Sequence, residues 1–114
     1  MAAQNKLRLL ALLKELENEL RGLGWWEQQA PSAQALQSQQ PFCIDTLEFA
    51  QWLQWVFIPR MQAILNAGHA LPSQCAIYEA AEAVYQQQLG QVTGLLECLK
   101  SIDQTISTPQ QALH

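Results

Sequence analysis

Charge is what this chain has least of. Only 14% of its 114 residues are Asp, Glu, Lys or Arg, against about 25% in an ordinary globular domain. Basic side chains are the scarcest. Lys6, Arg8, Lys14 and Arg21 stand in the first segment, and between Arg21 and Lys100 there is Arg60 alone. No basic stripe can neutralise a row of phosphates, which speaks against direct nucleic-acid binding. Nor is there a polybasic face to hold the chain on an anionic membrane, and no apolar run approaches the ~20 residues of a membrane span.

Cysteine and histidine are equally thin. Cys43, Cys75 and Cys98 are odd in number and irregularly spaced, without the Cys-x-x-Cys or Cys/His intervals of a zinc site or a disulfide framework. They read as reduced, mostly buried thiols, each acting as a small core residue. The N-terminus, Met-Ala-Ala-Gln-Asn-Lys, lacks the apolar stretch of a secretory signal, so a cytoplasmic protein is expected. His69 falls in a predicted turn and His114 is the last residue, so neither offers an imidazole held firmly enough to activate a nucleophile. Glu79 and Glu82 share a helix face without the Glu-x-x-His of di-iron bundles. Gly22 and Gly24 lead out of a helix rather than into one, so they do not make a phosphate loop. We therefore expect no enzymatic activity, no metal and no cofactor.

What fills the chain is apolar surface and glutamine. Hydrophobic residues make up 49%, ample for one core, and eighteen glutamines supply an uncharged solvated surface. The net charge of −4 is uneven: residues 1–22 sum to +1 and residues 79–114 to −3. Leu9, Leu13, Leu16, Leu20 and Leu23 recur at helical intervals, predicting an amphipathic helix from about Ala3 to Arg21 ended by Gly22 and Gly24. Residues 25–42 are a long connection between prolines, with a helical turn after Pro31 and Trp25, Trp26, Leu36 and Phe42 pinning it down. One of the two adjacent tryptophans should be partly exposed. A second helix is predicted from Asp45 or Thr46, with Asp45 as N-cap and Glu48 three residues on. A third runs from Ser73 or Gln74 to Gln88, burying Ile77, Ala80, Ala81, Val84 and Tyr85. A fourth runs from Gln91 to Ile106 with Val92, Leu95, Leu96, Leu99, Ile102 and Ile106 on one face. Strand signals are absent. The fold class is all-α: a bundle of three to four helices forming one domain over residues 1–106, with a flexible tail at 107–114.

The densest segment is Asp45–Met61. On a regular helical wheel Phe49, Trp52, Leu53 and Val56 form one apolar stripe that Arg60 and Ile64 continue. Leu47, Ile58, Met61 and Leu65 form another almost opposite, so this helix should be central and sandwiched. Pro59 should kink it near Trp55 or restart it. Arg60, on an apolar stripe, is expected to be withdrawn from water and paired with a carboxylate: of the candidates Asp45, Glu48, Glu79 and Glu82, Glu79 or Glu82 is favoured over Asp45. Its functional alternative is an anion- or partner-binding arginine beside exposed aromatics.

The run Gln40-Pro-Phe-x-x-Asp-Thr46, followed by Trp52-Leu-Gln-Trp-x-x-Ile-Pro-Arg-Met61, resembles the YqcC-like proteins, small bacterial all-helical proteins of undefined biochemical role. The resemblance spans most of the chain. It implies that Pro41, Phe42, Asp45, Thr46, Trp52, Gln54, Trp55, Pro59, Arg60 and Met61 matter, and it supplies no catalytic residues. Genes for such proteins often stand beside one for a tRNA pseudouridine synthase, which implies an accessory role. Two functions are thus in view. One is a protein-interaction or accessory module whose partner is another protein, a tRNA pseudouridine synthase by the resemblance. The other is a small-molecule or anion binder with Trp52, Trp55 and Arg60 at the pocket. The candidate binding residues are Trp52, Trp55, Arg60, Asp45 and Gln54.

Overall fold

The computed structural model describes residues 2–68 and 76–107. Helix α1 spans Ala2–Gly22, and its leucine repeat does what the spacing demands: Leu9, Leu13, Leu16 and Leu20 are fully buried. Full burial of each such side chain contributes about 1.5–3 kcal/mol. Gly24 closes the helix in the left-handed region at φ 78°, where the Trp25 N–H reaches back to the Leu20 carbonyl at 2.9 Å.

Helix α6, Thr93–Ser107, lies along α1 and buries five of the six apolar residues predicted for its face, the sixth, Val92, being buried just ahead of it. The Cys98 thiol donates to the Leu12 carbonyl at 3.4 Å, and the Arg8 Nε donates to the Thr105 hydroxyl at 3.2 Å. At its start Gly94 leaves room for the Glu19 carboxylate, which a Cβ there would strike. Helix α5, Ile77–Val84, packs chiefly on α6. It begins without a local cap; Asp103 of α6 accepts the N–H groups of Ile77 at 3.2 Å and Tyr78 at 2.8 Å.

Between α1 and the central helix the connection carries the helical turn expected after Pro31. Ser32 caps a single helical turn, α2 (Ala33–Leu36). A 3-10 turn at Pro41–Cys43 follows, with Phe42 and Cys43 both at positive φ, 57° and 51°. Such backbone costs a side-chain-bearing residue roughly 1–2 kcal/mol. The seat of the Phe42 ring offsets that cost, 4.9 Å from Trp52 and 5.5 Å from Phe49.

The central element is α3 (Phe49–Trp52), a π-helical turn at Leu53–Phe57, and α4 (Ile58–Ala67). The break predicted around Trp55 and Pro59 takes the form of that π turn. The Ile58 N–H reaches five residues back to the Leu53 carbonyl, and Pro59, which has no N–H, sits in the first turn of α4 where none is missed. A π turn holds one residue more than an α turn, so everything downstream is rotated back by about 100°. The two stripes that look opposed on a regular wheel therefore become one. Phe49 and Ala50 before the turn, Leu53 at its start, and Ile58, Met61 and Leu65 after it all face the core.

Several boundaries differ from the sequence expectations. The second helix starts at Phe49, not Asp45, because Glu48 and Gln51 form the capping box, the Glu48 N–H donating to Gln51 Oε1 at 2.8 Å. Asp45 instead accepts from the Ser38 hydroxyl. The third helix stops at Val84, which is 45% exposed rather than buried. Its expected start at Ser73 or Gln74 lies outside the described residues, as do His69, Cys75 and residues 108–114 of the expected tail. The fourth helix begins at Thr93 after turns through 85–92, two residues later than expected.

Candidate functional site

The aromatic motif of the central element is turned toward its own chain. Gln54 is 5% exposed. Its side-chain Oε1 accepts the backbone N–H of Glu27 at 2.8 Å, and its Nε2 donates to the Glu27 carbonyl at 2.8 Å. That two-way pairing satisfies a backbone segment which no secondary structure serves. The Glu27 carboxylate is a hub in turn, accepting from Gln51 Nε2 at 3.2 and 3.1 Å and from the Trp55 indole N–H at 3.2 Å. Trp52 lies among Phe42, Phe49 and Phe57, with ring centroids 4.9, 5.8 and 5.5 Å away. Three of the candidate binding residues thus hold the 25–32 connection and the aromatic core: Trp52, Gln54 and Trp55.

Arg60 is exposed and makes no ion pair among the described residues. The expectation of a buried Arg60 paired with Glu79 or Glu82 is therefore corrected. The π turn swings position 60 to the side away from the core, and α5 packs on α6 rather than alongside the central helix. Glu82 accepts from the Tyr78 hydroxyl at 3.3 Å, and the Glu82 charge, with burial second, raises the Tyr78 pKa above its ordinary value.

A cleft of about 360 Å³ opens beside the Glu27 hub, lined by Gly24, Trp25, Glu27, Glu48, Ala50, Gln51, Tyr85 and Gln88. Arg60, Asp45, Trp52, Gln54 and Trp55 do not line it. Trp25 and Tyr85 stack on its wall, centroids 5.2 Å apart and planes at 25°. Trp26 is also half-buried, under the Arg21 guanidinium, whose carbon sits 4.9 Å from the ring centroid. Burial first, then the Glu48 charge, push the Tyr85 phenol up to about 12, so it stays neutral. Among the described residues the lining carries two carboxylates and no basic side chain, which suits a cation and repels an anion. The described lining residues offer hydrogen-bonding groups and aromatic surface to a bound group. Sequence reasoning missed Glu27 and Gln51 here. Glu27 carries no local signal, whereas the Glu48–Gln51 spacing was readable as a second capping box.

Residues 8–105 match the DUF446 family, described as tRNA pseudouridine synthase C. An uncharacterised protein of Haemophilus influenzae is 49% identical over 65 residues, covering 57% of this chain and 61% of that one. The protein YqcC of Escherichia coli, also uncharacterised, is 36% identical over 105 residues, covering 90% and 94%. A tRNA pseudouridine synthase C of Pectobacterium carotovorum is 40% identical over 72 residues, which are 63% of this chain and only 19% of that protein. The solution NMR structure of Escherichia coli YqcC superposes with a TM-score of 0.82 at 32% identity, covering 91% of this chain and 89% of that one. Sequence and fold agree over nearly the whole length, and the chain belongs to the DUF446 family of YqcC-like proteins.

Proposed function

We propose that this chain is a non-catalytic, cytoplasmic interaction module that assists a tRNA-modifying enzyme, with a tRNA pseudouridine synthase as its partner. The observation that carries this reading is the Pectobacterium relative. A segment like this chain makes up 19% of a longer protein called tRNA pseudouridine synthase C, leaving four-fifths of that polypeptide outside the match. Covalent attachment in one protein raises the effective concentration that two separate chains must reach by affinity. The acidic balance of −4 supports a protein surface over tRNA as the binding partner. Among the described residues no group of three His, Cys, Asp or Glu side chains converges as a metal site would need.

The test mixes the purified chain with a tRNA pseudouridine synthase of the same source organism. Association is measured by gel filtration and calorimetry, and pseudouridine is measured in tRNA. A complex should form, the chain alone should make no pseudouridine, and it should not retard tRNA at about 0.15 M salt. Pseudouridine formed by the chain alone, or no association at all, would overturn the reading.

A further inference from the structure

The cleft beside Glu27 is lined on one side by the stacked rings of Trp25 and Tyr85 and elsewhere by Glu27, Glu48, Gln51 and Gln88. Its volume is about 360 Å³. That is room for one long side chain. Glu27 is fixed by the N–H groups of Gln51 and Trp55, two bonds reaching Oε1 and one Oε2, so Oε2 keeps acceptor capacity. Glu48 stands exposed at the start of α3.

We propose that this cleft receives an arginine side chain of a partner protein, its guanidinium set between Glu27 and Glu48 and its stem against the Trp25–Tyr85 pair. A guanidinium fits better than an ammonium on three counts. It is planar and weakly hydrated, it stacks on aromatic surface, and its fork matches carboxylates. A partner offering it would also meet a chain of net charge −4, so the long-range field and the local contact favour the same sign. The identity of the partner rests on the accessory-module reading; the chemistry of the cleft does not.

The test is a ¹H–¹⁵N and aromatic NMR titration with acetyl-Gly-Arg-Gly-amide, its citrulline counterpart of equal shape and no charge, and putrescine. The arginine peptide should give saturable shifts at the Trp25 indole and the Tyr85 ring, reversed by added salt. The citrulline peptide should give none, and Glu48→Gln, its fold checked by circular dichroism, should weaken binding about fivefold. Equal shifts from citrulline, insensitivity to salt and to Glu48→Gln, or tighter binding of putrescine would each overturn the proposal. The two readings part cleanly when Glu48→Gln is assayed against the synthase. Undiminished association overturns the cleft as docking site while the accessory role stands. Arginine-peptide binding without any association does the reverse.

Discussion

Gln54 and Arg60 are six positions apart, and their roles are the reverse of what their types suggest. The neutral amide is the buried one and holds both backbone groups of Glu27. Gln54→Leu should leave a part-buried N–H and carbonyl without partners and cost about 2–3 kcal/mol; urea denaturation would measure it, and a cost below experimental error would show that water replaces the amide. The cation is the exposed one. Arg60→Met should change stability by no more than about 0.5 kcal/mol, where a buried pair would lose several times that. Neither outcome was legible locally. Glu27 lies 27 residues from Gln54, and no periodicity connects them.

Elements whose instructions lie within themselves were read well. The leucine intervals of α1 and the apolar face of α6 place every expected residue in the core except Leu23, which is half-buried. The misreadings occur where one element is completed by another. Asp45 with Glu48 resembles a helix start, but Ser38 holds Asp45 and the helix waits for Glu48 and Gln51. The start of α5 has no signal of its own because its cap comes from Asp103, 26 residues on. Asp103→Ala should therefore melt α5 first, at about 1–2 kcal/mol. Hydrogen exchange would show the loss at Ile77 and Tyr78 before α1, and equal deprotection of both helices would contradict this. Asp103→Asn, which keeps one acceptor, should lose less.

For the molecule as a whole, two buried acids set an upper pH limit. Burial, then the charges of Glu15 and Glu19, push the Cys98 thiol from 9.0 up to about 12; the Tyr85 phenol rises from 10.0 to about 12. Below pH 9 both groups keep their protons folded or unfolded, and the stability tied to them is whole. Between pH 9 and about 12 the unfolded chain gives up protons that the folded chain retains, so stability falls as pH rises. Denaturation curves at pH 7, 9 and 10.5 should show that decline, and Cys98→Ala should be less stable at pH 7 but flatter above pH 9. A slope unchanged in that variant would assign the decline to other groups. The same burial keeps the thiolate scarce, so Cys98 should react with thiol reagents only on unfolding.

The π turn has a consequence for descent. A turn that absorbs one surplus residue without disturbing the core on either side is what a single-codon insertion leaves behind when it is tolerated. Relatives lacking one residue between positions 53 and 58 would keep Leu53 above Met61 on the same face, now through an unbroken α-helix. A gap of one at that point in a sequence alignment would then mark equivalent cores. What such a lineage would differ in is the direction in which the Trp55 indole points.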